Sequence, residues 1–140
     1  MKIYNGEGMI LGRLAARVAK DALMGEEVKV LNCEKVVVSG AKTGTFAKAK
    51  QKRGWGGHPM RRQVHSRLPD RWVRRSIRGM LPWKQARGKE AFDRIMCYLG
   101  TPLEFKEQKL TEVPGASASK LRTLNYITLH DIAHTFGKKI

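Results

Sequence analysis

The chain has 140 residues, which is enough for one domain with a hydrophobic core. Lys and Arg number 28 against 12 Asp and Glu, so the formal net charge is +16, while an apolar content of 41% argues against a disordered basic tail. Like charges repel one another in a compact fold, so this composition indicates a polyanionic partner. Nucleic acid is favoured over an acidic membrane surface, because we expect neither a signal peptide nor a membrane-spanning segment.

The first forty residues predict three strands and one helix. Residues 2–5, 28–32 and 36–38 are short, largely apolar segments typical of strands. Between the first two, apolar residues recur at helical spacing up to a stop at Gly25, and they are Leu11, Leu14, Ala15, Val18, Ala22 and Leu23. A strand, a helix and a strand in this order predict a right-handed parallel unit and therefore an α/β sheet.

The central segment predicts two basic helices separated by a loop. Residues 45–52 form the first helix, and residues 54–66 show no periodicity, which is typical of a functional or disordered loop. The second helix begins at Pro69 and runs to about Met80, before a stop at Pro82. Its predicted buried side consists of Trp72, Val73, Ile77 and Met80. Its predicted exposed side consists of Arg71, Arg74, Arg75 and Arg78.

The last third of the chain predicts two helices and a connector. Residues 88–94 predict a helix, and residues 95–99 fit either its continuation or a strand. An exposed connector is expected over residues 103–120, and Thr128 opens a capping box for a last helix that Gly137 ends. We therefore predict a single domain over residues 1–140 with a C-terminal extension over about 103–140.

The positive charge is concentrated in the central third of the chain. Residues 42–94 carry 16 Lys and Arg but three acidic residues, a net charge of +13, whereas the segments before and after them carry +1 and +2. Three carboxylates cannot neutralise 16 cations, so most of these cations require anions from a partner. We therefore predict that about residues 42–94 form a nucleic-acid-binding region.

The residue types of this region fit RNA better than they fit a merely solvated surface. Between residues 53 and 94 Arg outnumbers Lys ten to two, and arginine offers a planar fork to phosphate and stacks on bases. Trp72 is predicted to anchor the core, while Trp55 and Trp83, beside Gly and Pro, are predicted at the surface. The residues predicted to contact RNA are Lys48, Lys50, Lys52, Arg53, Trp55, His58, Arg61, Arg62, Arg67, Arg71, Arg74, Arg75, Arg78, Gly79, Lys84, Arg87 and Lys89.

Motifs for catalysis, cofactors and metals are incomplete. The glycines between residues 6 and 12 follow a strand, but the third comes one residue too late for a dinucleotide fingerprint. Residues 39–44 contain Lys-Thr without the glycine pair of a phosphate-binding loop. His130 and His134 lie four residues apart, with no glutamate between them and no evident third ligand. We therefore expect no catalytic residues, no cofactor, no small-molecule substrate and no metal.

The chain contains two cysteines, Cys33 and Cys97, and both lie in apolar segments. They are too few and too distant in sequence to indicate a disulfide framework or a zinc cluster. We expect both to be reduced and buried, as in a cytosolic protein.

Three blocks within the first 100 residues are distinctive in their order and spacing. Residues 11–20 read Leu-Gly-Arg-Leu-Ala-Ala-Arg-Val-Ala-Lys, and residues 30–40 begin Val-Leu-Asn-Cys-Glu-Lys and end Val-Ser-Gly. Residues 78–100 begin Arg-Gly-Met-Leu-Pro and end Tyr-Leu-Gly. Together the three blocks resemble the universal large-subunit ribosomal protein family thirteen, in its archaeal form. The loop at residues 54–59 and the segment from Leu103 depart from the family pattern.

This resemblance implies both a fold and a function. The implied fold is a three-layer α/β/α arrangement with a small parallel sheet of four strands in the order three-two-one-four, plus basic loop and helical extensions. It also favours a strand at residues 95–99. The implied function is a non-catalytic, structural constituent of the large ribosomal subunit in the cytoplasm, which binds large-subunit rRNA, contacts neighbouring ribosomal proteins and acts early in subunit assembly.

Two other functions stay open from the residues alone. An architectural DNA-binding protein would carry the same charge, because duplex DNA and RNA present the same phosphates. An enzyme that acts on nucleotides or nucleic acid with a Rossmann-like sheet is less favoured, because the basic region has few carboxylates for metal-dependent chemistry. The turn at residues 78–82 has two interpretations as well. It either brings the backbone close to RNA, because Gly79 and Pro82 remove bulk and fix direction, or it is a packing turn between two helices.

Overall fold

The computed structural model describes residues 1–58, 60 and 65–137, and these ranges contain five strands and five α-helices. Arg61, Arg62 and part of the predicted loop at residues 54–66 lie outside the described residues. The strands are β1 (Lys2–Asn5), β2 (Val28–Leu31), β3 (Val37–Ser39), β4 (Ile95–Cys97) and β5 (Tyr126–Thr128). The helices are α1 (Leu11–Leu23), α2 (Lys42–Gly54), α3 (Pro69–Met80), α4 (Ala86–Asp93) and α5 (Leu129–Thr135). Within these ranges no helix combines the length and the apolarity needed to cross a bilayer.

The predicted α/β fold is confirmed, and a parallel sheet lies at its centre. β1 pairs with β2 in parallel from Lys2 opposite Val28 to Asn5 opposite Leu31, and β4 pairs in parallel with the other edge of β2. Helix α1 connects β1 to β2, as the strand–helix–strand pattern predicts. Ile95–Cys97 is a strand, which confirms the alternative that the family resemblance favours.

The main core lies between one face of this sheet and helices α1 and α3. Successive strand residues alternate between the two faces, so Tyr4 and Val30 join this core while Ile3 and Leu31 pack on the other face with Phe105. The side chains that α1 and α3 contribute to the core without any exposure are Leu14, Ala15, Val18, Ala22, Val73 and Ile77. Burial of this apolar surface is what holds the two helices to the sheet.

The predicted four-stranded parallel sheet in the order three-two-one-four is not what the structure contains. The parallel sheet of the described residues has three strands with β2 in the middle, and β3 instead pairs with β5 in antiparallel orientation. Only residues 32–36 connect β2 to β3, whereas a parallel neighbour requires a crossover of a dozen or more residues. β3 therefore leaves the parallel sheet and joins a second, two-stranded sheet.

A network around Asp21 ties β1 to α1. Asp21 is 2% exposed, and its carboxylate accepts hydrogen bonds from the hydroxyl of Tyr4 and from Lys2 Nζ at 3.2 Å. Arg17, one helical turn earlier, places its Nε 3.2 Å from the other carboxylate oxygen. Burial by itself raises the pKa of Asp21, but the hydrogen bonds from Tyr4 and Lys2 and the charge of Arg17 outweigh burial and lower that pKa. Asp21 is therefore a buried, fully partnered carboxylate.

The ends of two helices differ from the periodicity-based prediction. Leu23 and Met80, both predicted on buried faces, are each 46% exposed. Each is the last residue of its helix, α1 or α3. Leu23 and Met80 line the same surface hollow between the two helix ends, which leaves both side chains open to solvent.

The segment predicted as an exposed connector is fixed to the sheet. Thr111 donates its backbone N–H to the carbonyl oxygen of Ile3 at 2.7 Å, and Ala116 accepts from the backbone N–H of Ile10 at 2.7 Å. Phe105 and Ala116 are buried. The prediction of an exposed connector is confirmed for most of the segment and is wrong at Phe105 and Ala116, because the segment is held against β1 and the start of α1. The predicted start of the last helix at Thr128 is confirmed further on, since Thr128 Oγ1 accepts from the backbone N–H of Asp131 as an N-cap.

The two cysteines, distant in sequence, are neighbours in the fold. The backbone N–H of Cys33 donates to the carbonyl oxygen of Tyr98 at 3.1 Å, next to Cys97. A hydrogen bond between the two thiols and the burial of Cys33 raise the pKa of Cys33. Both thiols are free, as predicted; Cys33 is buried, whereas Cys97 is only half-buried.

Candidate nucleic-acid interface

A wide groove rich in cations lies beside α3. It has a volume of about 900 Å³ and is bordered by the end of α2, the segment before α3, α3 itself and one residue of α4. No carboxylate belongs to its described lining. The cations that line it are Lys52, Arg53, Arg67, Arg71, Arg74, Arg75 and Arg78. We call this feature the basic groove.

Helix α3 positions most of these cations. Pro69 stands in its first turn, where the missing backbone N–H interrupts no helical hydrogen bond. Val73 and Ile77 are fully buried in the main core, so the arginines on the other side of the helix face the groove. Arg71 is exposed, as predicted, but its companions are half-buried rather than exposed, and these are Arg74, Arg75 and Arg78.

Trp72 connects α3 to the segment that precedes it. The indole Nε1–H of Trp72 donates to the carbonyl oxygen of Ser66 at 2.7 Å, and Ser66 Oγ accepts from the backbone N–H of Leu68 at 3.2 Å. The Trp72 ring also packs against the main core, which confirms its predicted role as an anchor. These contacts hold His65 and Ser66 beside the groove.

Aromatic rings hold three of the groove arginines in place. The distances from the guanidinium carbon to the ring centroid are 4.8 Å for Arg53 over Phe136, 4.5 Å for Arg74 over Phe92 and 4.9 Å for Arg78 over Trp83. A guanidinium that stacks on a ring keeps its N–H edge available for an acceptor. These contacts therefore order the cations without neutralising them.

None of the carboxylates of the basic region belongs to the described lining of the groove. In the basic region Glu90 pairs with Arg94 at 3.8 Å, and neither residue belongs to the described lining. The positive potential also acts on His65: its burial, followed by the charges of Arg75 and Lys52, lowers the pKa of its imidazole. The lowered pKa favours the neutral form of the His65 imidazole.

The structure brings together seven of the seventeen predicted RNA contacts, the cations that line the basic groove. A second set is exposed on α2 or just beyond its end, outside the lining, and consists of Lys48, Lys50, Trp55 and His58. A third set is exposed between the end of α3 and the middle of α4, and consists of Gly79, Lys84, Arg87 and Lys89. The predicted surface positions of Trp55 and Trp83 are confirmed, since they are 52% and 42% exposed.

The two glycines near the turn after α3 have different surroundings. Gly79 is an exposed residue of α3, and a Cβ added there would meet no atom within 4 Å. Gly88 is buried, and its added Cβ would lie 2.1 Å from the carbonyl oxygen of Pro82 and 2.8 Å from the backbone nitrogen of Trp83. The backbone of the turn therefore packs closely at Pro82 against Gly88, whereas the surface at Gly79 is open.

Sequence reasoning missed several residues that shape the groove, and these are His65, Ser66, Ser76, Phe92 and Phe136. Phe92 lies 18 positions after the arginine it supports, and Phe136 lies 83 positions after Arg53. No local periodicity relates residues at such separations. Only their shared aromatic character, within or after an arginine-rich stretch, could have suggested these pairs.

The histidine pair on α5 gives no further sign of a metal site. The rings of His130 and His134 stack with their centroids 6.4 Å apart. Across the described ranges, no three His, Cys, Asp or Glu side chains come together in a way that could hold a metal ion.

An α/β scaffold with a cation-lined groove is typical of nucleic-acid-binding proteins. A family model described as ribosomal protein L13 matches residues 1–104, and the chain belongs to this ribosomal protein family. The large ribosomal subunit protein uL13 of Methanococcoides burtonii is 40% identical to it over 139 residues, and the alignment covers 99% of both chains. Its counterparts from Methanosarcina barkeri and Methanocaldococcus jannaschii are each 38% identical, again over 99% of both chains.

The similarity to these archaeal relatives continues beyond the family model. The model ends at residue 104, whereas the three alignments cover 99% of this chain. The end of the family match agrees with the expectation that the segment from Leu103 departs from the family pattern, although the alignments with these relatives include the segment. The hydrogen bonds of Thr111 and Ala116 show that the same segment is part of the fold.

Proposed function

We propose that this protein is a structural constituent of the large ribosomal subunit in the cytoplasm, and that it binds large-subunit rRNA through the basic groove and the exposed cations on either side of it. The observation that carries this proposal is the described lining of the groove, with seven cations and no carboxylate, in a member of a ribosomal protein family. The cations of such a surface repel one another unless a polyanion neutralises them.

The shape of the groove supports folded RNA as the polyanion. A concave surface of this size suits a backbone that bends or crosses, while the exposed cations flanking it reach phosphates on either side. The narrow major groove of A-form RNA admits few side chains, so recognition depends on phosphate positions, on shape and on unpaired bases. Exposed Trp55 offers a face for such a base.

The wider role follows from the same proposal. Its partners are rRNA and neighbouring ribosomal proteins, it supports early subunit assembly, and it performs no catalysis. The relatives named above are proteins of the large ribosomal subunit, which supports this place of action. Depletion of the protein is expected to cause immature large-subunit particles to accumulate, as sedimentation in sucrose gradients would show.

Crosslinking in cell lysate, followed by sequencing of the recovered nucleic acid, tests the proposal. We expect one region of large-subunit rRNA to be enriched over all other RNA and over DNA. A groove variant with Arg67→Ala and Arg71→Ala should recover less of that region, since both residues are exposed in the lining. A matched variant with Lys106→Ala and Lys109→Ala loses the same charge outside the basic region and should recover it normally.

Three outcomes would contradict the proposal. Recovery of mainly DNA would favour the architectural DNA-binding alternative, and recovery of mixed messenger RNA would favour unspecific charge attraction. Equal losses in the two double variants would show that net charge, not the basic groove, determines binding.

A further inference from the structure

An apolar hollow of about 380 Å³ opens at the surface where the ends of α1 and α3 meet. Its three large side chains are all exposed, Met24 by 68%. Single exposed apolar residues are ordinary, but several that border one concave surface mark a place where another molecule binds. We call this feature the apolar hollow. The residues that line it are Ala16, Ala19, Lys20, Leu23, Met24 and Met80.

The apolar hollow lies on the side of α3 that faces away from the basic groove. Met80 follows Ile77 by three positions and Val73 by seven, so it continues the buried stripe of the helix and not its arginine face. No residue belongs to the described linings of both the apolar hollow and the basic groove. An RNA strand in the basic groove therefore does not occupy the hollow, which is open to a second partner.

The lining of the apolar hollow suits an apolar side chain of a protein better than a nucleobase. The described lining consists of aliphatic and thioether groups and one ammonium, that of Lys20. It contains no arginine and no aromatic ring, which are the side chains that stack on bases. The polar edges of a base would lose water there without gaining hydrogen-bond partners, whereas methionine side chains adapt to apolar groups of different shapes.

Lys20 indicates the charge of the partner. Two other cations of α1 have partners within the chain, since Arg13 donates to the carbonyl oxygen of Gly115 and Arg17 pairs with Asp21. Exposed Lys20 has no hydrogen-bond or ion-pair partner among the described residues, so a carboxylate beside the apolar side chain of the partner can pair with it. A second copy of the chain fits poorly, because both copies carry a net charge of +16.

We propose that the apolar hollow is a docking site for a neighbouring protein of the large ribosomal subunit, which inserts an apolar side chain between α1 and α3 and pairs an adjacent carboxylate with Lys20. The inference rests on the proposed function for the place where the two proteins meet, and on the hollow for the chemistry of the contact. It gives the molecule two separate interfaces, the basic groove for rRNA and the apolar hollow for protein. A few apolar anchors in pockets, with polar contacts around them, dominate the binding energy of such protein interfaces.

Photocrosslinking in growing cells tests the contact with the full chain in its natural assembly. The test chain carries Met24→p-benzoylphenylalanine, and the control chain carries the same substitution at Met96, which is exposed outside the described lining of the hollow. Mass spectrometry of crosslinked peptides, from whole cells and from purified large subunits, identifies the partner and its attached residue. We expect one protein of the large subunit, attached where an apolar residue and a carboxylate are close in sequence, which the control chain does not recover.

A binding assay with the purified partner measures what the apolar hollow contributes. Met24→Ala and Met80→Ala should each weaken binding of the partner about tenfold, because each removes part of the apolar lining. Lys20→Gln should weaken it about threefold through loss of the ion pair. Met96→Ala is the matched control and should change the affinity less than about twofold. Both variants of the hollow methionines should bind rRNA as the natural chain does.

The outcomes separate this inference from the proposed function. Crosslinks from the site of Met24 to rRNA, to a second copy of the chain or to no molecule, in a chain that enters large subunits normally, would overturn the docking site and leave the proposed function intact. Equal affinities of Met24→Ala and Met96→Ala for the partner would do the same. A protein captured at Met24 by a chain that is absent from large subunits would overturn the proposed function and the ribosomal source of the partner. Thermal unfolding of each variant checks that its fold is intact.

Discussion

The neutral part of the molecule, residues 1–41 with a net charge of +1, and the basic part around α3 differ in the partners of their cations. In the neutral part Arg17 lies 3.2 Å from the buried carboxylate of Asp21, and Lys35 lies 2.8 Å from Glu7. In the basic part Arg74 stacks on Phe92, and its Nε has no hydrogen-bond partner among the described residues. Cations with an internal counterion stabilise the free protein, whereas cations ordered only by aromatic rings keep their charge for a partner.

The neutral part and the basic part also contribute to different properties, the first to stability and the second to RNA binding. The Asp21 network joins β1 to α1, so its loss should lower the free energy of unfolding and leave the affinity for RNA almost unchanged. Loss of groove arginines removes repulsive charge from the free protein, so it should weaken binding much more than it weakens the fold.

Replacing Arg71, Arg74, Arg75 and Arg78 together with alanine is expected to have the largest effect. At roughly 1 kcal/mol for each charge-assisted contact, affinity for rRNA should fall about a thousandfold. The logarithmic salt dependence should fall by roughly three, because each lost phosphate contact removes about 0.7 to 0.9 of slope. Filter binding over a range of salt concentrations measures both quantities.

The matched control for this variant replaces four cations outside the basic region, Lys20, Lys106, Lys109 and Lys120, with alanine. Its salt slope should change by less than about one. A control that loses as much affinity as the groove variant would erase the distinction between the two parts of the molecule.

Gly88→Ala tests whether the basic part also contains a residue on which the fold depends. A Cβ 2.1 Å from the carbonyl oxygen of Pro82 forces two backbone segments apart, so the free energy of unfolding should fall by about 3 kcal/mol. Urea denaturation measures this change.

Gly79→Ala is the matched control, because its Cβ would meet nothing within 4 Å and alanine favours the helix by up to about 1 kcal/mol. Unchanged or higher stability with reduced rRNA affinity would assign Gly79 to close RNA contact. Unchanged or higher stability with unchanged rRNA affinity would show that neither depends on a glycine at this position.

Asp21→Asn is expected to lower the free energy of unfolding by about 2 kcal/mol, because the buried hydroxyl of Tyr4 loses its charged acceptor. Affinity for rRNA, measured at a temperature where both proteins are folded, should change less than about twofold. A large loss of affinity without a loss of stability would connect the neutral part directly to binding. Tyr4→Phe serves as the milder control, since it removes the hydroxyl and leaves the carboxylate with Lys2 and Arg17.

The smallest expected effect is an acid dependence of stability. The pKa of Asp21 is lowered in the fold, below its ordinary value of 3.8. A carboxyl with a lowered pKa stabilises the fold above the unfolded-state pKa, and this contribution is lost as the pH falls through the folded-state pKa. Stability should therefore decline below about pH 4. Urea denaturation at a series of pH values should show a shallower decline for Asp21→Asn than for the natural chain.

The confirmed predictions depend on patterns among residues that are close together in the sequence. The bounds of α3, from Pro69 to Met80, and the stripe that buries Val73 and Ile77 follow from a 3.6-residue period and a proline stop. The cap at Thr128 follows from a three-residue spacing. Such signals lie within one helical turn, so no knowledge of the rest of the chain is needed.

The failures have a different physical origin. β5 spans three residues and carries no periodicity, so its antiparallel pairing with β3 cannot be read from its sequence. In the candidate site the cations could be predicted from the charge of the segment. The aromatic rings that stack with Arg53 and Arg74 could not, because they lie far from these arginines in the sequence. The contrast between Gly79 and Gly88 depends on which glycine faces the backbone at Pro82.

The sequence by itself determined that this protein is a basic α/β domain with its charge in residues 42–94, because charge and hydrophobic periodicity are properties of neighbouring residues. Only the tertiary structure decided which cations share a groove, which of them stack on rings, and which nitrogens are buried at His65 and Arg74. These features depend on how α2, α3 and α4 pack together. That packing depends on burial of the whole core, so it cannot be predicted from any single segment of the sequence.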